Sequence, residues 1–206
     1  MRSEHERVYV VDDDPAVRRS LVRLLRSAGL EAVAFESPEE FLRLVPPEAA
    51  GCAILDLSMP GLDGLALQRE LSARGCLLPV LFLTGYGDIP ETVQAMKAGA
   101  LDFLSKPVDD GVLLRAVRQA LAAGRAAGEA RRQAADARRR LSTLTPRERE
   151  VLEGVVAGKL NKQIGGDLGI AEKTVKVHRG RVMEKMGAGS LAELVQLADR
   201  AGLGRG

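Results

Sequence analysis

Five short apolar runs punctuate the first half of the chain, at residues 8–11, 32–35, 52–57, 80–83 and 102–104. They scarcely alternate between apolar and polar, which is the pattern of strands buried on both faces. Helix-length segments with readable boundaries lie between them. Asp14-Pro15 reads as an N-cap followed by proline at the first helical position, and Gly29 sits where that helix stops. Ser37-Pro38 repeats the device and adds Glu40, a capping box. Asp63, the stretch from Asp88 to Pro90, and Asp109 open three further helices. Five such β-α units predict an α/β fold, a flavodoxin-like doubly wound parallel sheet of five strands in the order 2-1-3-4-5.

That topology locates the chemistry. In such sheets the site forms outside the carboxyl ends of the strands, where strand order reverses. Asp12 and Asp13 follow strand one, Asp56 ends strand three, Thr84 ends strand four, and Lys106 follows strand five. Converging carboxylates repel one another, and a hard cation with oxygen ligands relieves them. Magnesium suits, because it takes few carboxylates and keeps waters that a phosphate can replace. Lys106 adds a fixed positive charge and Thr84 a hydroxyl donor. Cation, ammonium and hydroxyl together meet the oxygens of a phosphoryl group, with an aspartate as its nucleophile. Asp14, Asp63 and Asp88 are read as helix caps and stay outside the set.

Charge divides the chain. Residues 1–123 carry 13 Lys/Arg against 18 Asp/Glu, residues 124–140 carry 6 against 2, and residues 141–206 carry 11 against 8. An acidic front, an Arg-rich bridge and a basic rear point to two domains with different partners. The expected division is a front domain over 1–123, a helical linker over 124–142 and a rear domain over 143–206. Within the linker Ala, Arg, Gln and Leu favour helix, while Gly124 and Gly128 mark an expected weak point. The arginines there are read as a solvated face.

Several function classes are excluded. No apolar run is long enough to span a bilayer, and the opening MRSEHERVYVV does not read as a secretory signal. Cys52 and Cys76 stand without a C-x-x-C or a histidine cluster, which argues against a zinc site or a disulfide scaffold and for free thiols in a reducing cytosol. Trp is absent and aromatics make up 3%, a poor composition for base-stacking modules.

The rear domain reads as four short helices. Thr145-Pro146-Arg147-Glu148 is a capping box whose helix stops at Gly158. A second runs from Asn161 to Leu168 with Gly169 as turn, and a third from Glu172 to Met186 with Gly187 as stop. A fourth starts with the capping box Ser190 and Glu193. Two short helices across a tight glycine turn make a helix-turn-helix. On the third helix Val175, Val182 and Met186 share the inward face. Lys173, Lys176, Val177, Gly180 and Glu184 lie opposite, flanked by Arg179 and Arg181. A slim basic face suits the major groove.

These residues carry two resemblances. VVDDD, LDLSMPGLDG, FLTGYGD and AMKAGALDFLSKP resemble a response-regulator receiver over about residues 6–123. LTPREREVL, NKQIGGDLGI and TVKVHRGRVMEKM resemble the LuxR/NarL-type helix-turn-helix over about 143–204, so the whole is similar to a FixJ/StyR-type regulator. The resemblance implies Asp56 as phosphoacceptor and Mg2+ held by Asp13, Asp56, the Ser58 carbonyl and a water on Asp12. It implies Thr84 and Lys106 on the phosphoryl oxygens, Phe103 as switch aromatic and a cis bond before Pro107. In the rear it implies Lys176 and Val177 as base readers, with Lys162, Lys173, Thr174 and Arg179 nearer phosphates. Its implied partners are a sensor histidine kinase, promoter DNA and RNA polymerase, with a cytoplasmic location. Three positions depart from the pattern. Gly180 replaces a longer side chain, which shifts that contact to Arg181. Gly165 and Gly166 weaken the second helix, and Ala171 lacks the usual capping hydroxyl.

The apolar Leu191, Leu194, Val195 and Leu197 of the fourth helix predict a DNA-bound dimer contact. Phosphorylation is expected to convert monomer to homodimer through the surface of the fourth front helix and strand five. Two other readings compete with the regulator, an aspartate-nucleophile phosphatase and a protein-binding adaptor. The first needs a general acid that Leu57, Ser58 and Met59 do not supply. The basic face disfavours the second.

Overall fold

The computed structural model describes residues 6–85 and 99–204. The helix expected to open between Asp88 and Pro90 lies outside the described residues. The chain forms two compact units, Met1–Gly128 and Glu129–Gly206.

In the first unit the strands β1 (Arg7–Val11), β2 (Ala32–Phe35), β3 (Gly51–Leu55), β4 (Val80–Thr84) and β5 (Asp102–Ser105) form one sheet, ordered β2-β1-β3-β4-β5. All four pairings are parallel; Val10 stands opposite Ala34 on one side and Ile54 on the other. Successive side chains alternate between two buried faces. Tyr9, Val11, Leu55 and Phe82 enter one apolar core, while Val8, Val10, Ile54 and Leu81 enter the other. Burial on both sides explains why the runs do not alternate in polarity. The third strand ends at Leu55, before the apolar run does. Asp56 still donates its N–H to the Val11 carbonyl at 2.9 Å, and the Gly64 N–H then turns back onto the Leu57 carbonyl at 3.0 Å.

The helices α1 (Pro15–Ser27), α2 (Pro38–Leu44) and α3 (Gly64–Ala73) connect the strands, and α4 (Asp110–Leu141) follows β5. Asp14 accepts from the Ala16 N–H at 2.7 Å and Asp63 from the Ala66 N–H at 2.6 Å, so both are the caps expected. Ser37 caps the Glu40 N–H, but Glu40 reaches back one residue further, to the Glu36 N–H. Its capping box is therefore only half closed.

Helix α4 runs unbroken for 32 residues, through both glycines. A Cβ on Gly124 would lie 2.5 Å from the Gly51 carbonyl oxygen and 3.3 Å from Pro79 Cδ. The missing side chain there lets the helix approach the start of β3, which is a packing requirement where a weak point was expected. Gly128 faces open space and carries only the propensity penalty.

The second unit holds the end of α4, then α5 (Pro146–Val156), α6 (Asn161–Leu168), α7 (Glu172–Met186) and α8 (Leu191–Arg200). Ala137 and Leu141 are buried here, Leu141 in the core with Leu152, Ile164, Val182 and Leu194. Thr145 and Glu148 close both halves of their capping box. Ser190 and Glu193 do not, since Glu193 takes the Gly189 N–H. Ala171 makes no side-chain cap. A Cβ on Gly165 would stand 2.7 Å from the Ile170 carbonyl oxygen, so this glycine lets the turn between α6 and α7 fold tightly. Gly166 faces open space. Helix α8 hides more than its sequence pattern suggests. Leu194 and Ala198 are fully buried and Leu197 packs on the core, which leaves Leu191 exposed and Val195 half-buried.

Candidate functional site

The acidic pocket forms where the order of strands reverses, between β1 and β3. Asp12, directly after β1, is 2% exposed and Asp56, directly after β3, 9%, while Asp13 faces solvent. One carboxylate oxygen from each of the three lies within 4.8 Å of the others. Lys106 Nζ donates to Asp12 Oδ2 at 2.7 Å and to Asp56 Oδ2 at 3.1 Å. The second oxygens are also held. Asp12 Oδ1 accepts the Asp14 N–H at 2.9 Å, and Asp56 Oδ1 accepts the Leu57 N–H at 2.7 Å.

The Lys106 N–H donates to the Thr84 carbonyl at 2.7 Å, which ties the residue to the end of β4, and the bond to Pro107 is cis. Thr84, the last residue of β4, is 1% exposed, and Ser58 is exposed in the loop after β3. Phe103 on β5 is half-buried, its ring centroid 6.3 Å from that of Phe82. The fold thus brings together Asp12, Asp13, Asp56 and Lys106, with Thr84 at the neighbouring strand end.

Burial pushes the Asp12 carboxyl up, against the pull of Lys106 and the Asp14 amide; the Asp56 charge adds to the rise. Burial also works against the Lys106 ammonium, yet its bonds to Asp12 and Asp56 outweigh it and raise its pKa. The ammonium is the fixed charge of the site. Two residues escaped the sequence reading. A Cβ on Gly64 would collide with the Asp56 carbonyl oxygen, so glycine sets the backbone behind the carboxylate. Arg18 donates to the Asp12 carbonyl at 2.7 Å. Neither belongs to a strand end, the only signal used to find the pocket.

In the second unit the cations separate into two groups. Lys162, Lys173, Lys176 and Arg181 are exposed, with Thr174 and Gly180, and Val177 is 50% exposed. Val175, Val182 and Met186 are buried beneath, as their spacing predicts. Lys176 pairs with Glu172 at 3.3 Å, an exposed contact of little energetic weight. Other cations turn inward as struts. Arg147 donates to the Leu168 carbonyl at 2.7 Å, and Arg140 to the Met186 carbonyl at 2.8 Å. Arg140 was expected on a solvated face. Arg179, expected near a phosphate, donates to Asn161 at 3.2 Å. Lys185 bonds Glu148 at 2.6 Å and the Thr143 carbonyl at 3.3 Å. Lys185 first, then the Thr145 amide, hold the Glu148 carboxyl down to about 2.

A parallel sheet with an acidic pocket and a lysine at its switch point, followed by a helix-turn-helix with an exposed cationic face, defines a receiver joined to a DNA-binding module. Comparison with known proteins agrees. The family model for the response regulator receiver domain matches residues 8–118, and that for bacterial regulatory proteins of the luxR family matches residues 142–198. Nodulation protein W of Bradyrhizobium diazoefficiens is 48% identical over 95% of this chain and 86% of its own length. The transcriptional regulatory protein FixJ of Azorhizobium caulinodans is 48% identical over 95% and 93%. The solved structure of the response regulator StyR is 46% identical and superposes with a TM-score of 0.82 over 95% of this chain and 99% of that one. The chain belongs to the response-regulator family, in its FixJ/StyR type. It is a phosphorylation-dependent transcriptional regulator.

Proposed function

We propose that Asp56 accepts the phosphoryl group of a sensor histidine kinase. The supporting observation is the Lys106 ammonium lying on both Asp12 and Asp56, with Asp13 beside them. An Asp56 oxygen attacks phosphorus, a P–O bond forms, the P–N bond to the kinase histidine breaks, and the imidazole leaves with a proton. Lys106 already faces the oxygen that would bear the phosphoryl group, and Thr84 ends the adjacent strand; together they would hold the new phosphoryl oxygens.

The three carboxylates suit a hard divalent cation by donor type and spacing. Asp13, Asp56 and the Ser58 carbonyl would hold Mg2+, with Asp12 engaging it through water. Its contribution is to neutralise charge on the transferring group. The phosphorylated pocket then favours an arrangement with Thr84 drawn in and Phe103 turned inward, which drives dimerisation.

On the rear unit Lys176 and Val177 would read bases, with Arg181 supplying the contact that Gly180 cannot. Lys162, Lys173 and Thr174 would meet phosphates. Arg179 would do so only from its position against Asn161. RNA polymerase is the further partner of a regulator seated at a promoter.

The test is labelling with acetyl phosphate, with and without Mg2+, read by intact mass. Wild type gains one phosphoryl group only with the metal, and Asp56→Asn gains none; labelling of that variant to the wild-type extent refutes the assignment. Sedimentation with beryllofluoride tests the dimer, and a chain that stays monomeric under it refutes that step.

A further inference from the structure

The arginines of α1 stand together without an acid on their helix. Several arginines elsewhere stand three or four residues from an acid that they pair with, as in Arg74 with Glu70, Arg132 with Glu129 and Arg149 with Glu153. Helix α1 holds Arg18, Arg19, Arg23 and Arg26 and no acidic residue. Arg19 and Arg23 are one turn apart, a like-charge spacing that weakens a helix. These side chains rim a cleft of about 640 Å³ between α1 and the edge strand β2. Its floor is apolar, made by Val22, Val33 and Ala34, and no carboxylate lines it.

Two of the guanidiniums are anchored by the fold. Arg18 donates to the Asp12 carbonyl at 2.7 Å and Arg26 to the Ala32 carbonyl at 3.2 Å. A guanidinium has five N–H donors, so each anchored group keeps others for a ligand. The cleft falls within the range of about 300–1,000 Å³ usual for small-molecule sites. A lone carboxylate would answer one cation of the rim, whereas a di- or triphosphate answers several. Guanidinium forks grip phosphate bidentately and also stack on aromatic faces.

We infer that this cleft binds a nucleotide-like ligand, with phosphates on the α1 arginines and the ring over the apolar floor, and that Arg18 couples its occupancy to the acidic pocket. The coupling rests on Asp56 as phosphoacceptor; the binding does not.

Binding is tested by titrating the full chain with fluorescently tagged ATP in EDTA, which removes any metal-bridged route through the acidic pocket. Saturable binding is expected, weakened about tenfold or more in Arg19→Gln/Arg23→Gln and unchanged in Arg118→Gln, a tenfold change being about 1.4 kcal/mol. Inorganic tripolyphosphate should compete about tenfold less well than ATP, because it leaves the floor wet. Absence of saturation at millimolar ATP, equal binding in the double variant, or equal competition by tripolyphosphate overturns the site. Coupling is read from the rate of acetyl phosphate labelling in excess Mg2+. ATP should change that rate in wild type and not in Arg18→Met; an unchanged wild-type rate overturns the coupling. A chain that never labels sinks the phosphoacceptor reading instead, and the fluorescence titration still reports binding.

Discussion

The acidic pocket and the reading face of α7 both concentrate charge, and they hold it in opposite ways. Asp12 and Asp56 are almost closed to solvent, and each carboxylate oxygen named above has a fixed donor. On α7 the Lys176 side chain is 64% exposed and leans on a Glu172 that is itself 47% exposed. The pocket is organised before its substrate arrives, so its chemistry depends on atomic position. The face would take its order from the DNA proposed to meet it, so its chemistry would depend on which side chains are presented. Small changes of geometry should damage the first, and only changes of residue type the second.

The sharpest way to break this contrast is a single methylene. Asp56→Glu keeps the charge but moves it off the Leu57 amide and the Lys106 ammonium. Labelling by acetyl phosphate should fall about a hundredfold, in the range removal of a positioned electrostatic contact costs. Near wild-type labelling would show that the pocket is as tolerant as a surface.

On the face, Lys176→Ala should reduce discrimination between promoter and random DNA by about 1–3 kcal/mol, the worth of a base-edge contact. Lys173→Ala should weaken both alike, because a phosphate contact carries no sequence information. Salt titrations of the two variants on both DNAs measure this. An unchanged specificity ratio in Lys176→Ala would move the readout to Arg181.

At the C-terminal end of α7, bonded to Lys185, lies a buried carboxylate that behaves like the pocket. Glu148 is 3% exposed, closed over by its bonding partners. Its folded-state pKa of about 2 lies below the ordinary 4.5. The unfolded chain therefore binds the proton first as pH falls. The contribution of Glu148 is complete above about 4.5 and lost on acidification through about 2. Glu148→Gln should lower stability at neutral pH by about 2 kcal/mol, as loss of a charged hydrogen bond does, and flatten this acid slope. Urea melts at several pH values would show it.

The smallest effects concern glycine. Gly166→Ala and Gly128→Ala, both facing open space, should each stabilise by about 0.5–1 kcal/mol. Gly165→Ala and Gly124→Ala should destabilise, because each Cβ meets a carbonyl oxygen. Thermal melts of the four separate propensity from packing.

The pocket was legible in the sequence because strand ends are marked by where apolar runs stop, and topology brings those ends together. The buried face of α7 was legible because helical periodicity determines it. The struts were not. Arg140, Arg147, Arg179 and Lys185 have the same side-chain chemistry as the residues proposed to touch DNA, and only packing tells which carbonyl or carboxylate lies within reach. Gly124 and Gly165 were misread for a related reason, since propensity describes a helix alone and not the backbone it lies against. Glu40 and Glu193 kept their capping pattern but chose the amide one residue earlier, a distinction below the resolution of spacing rules.

The end of α4 bears on how such proteins can be cut and recombined. A DNA-reading fragment that began at Thr143 would leave out Ala137 and Leu141, which are buried in its unit, and the Arg140 guanidinium that closes the last turn of α7. It should melt earlier than one beginning near Glu129. A fragment of the front half that stopped before Gly124 would forfeit the contact with Gly51 and Pro79. The interval in which a crossover leaves both halves whole is therefore narrow, between Gly128 and Asp136. It falls in the Arg- and Ala-rich stretch whose sequence looks least distinctive. Fusions that join foreign receivers to this reader should succeed or fail according to whether their seam lies there.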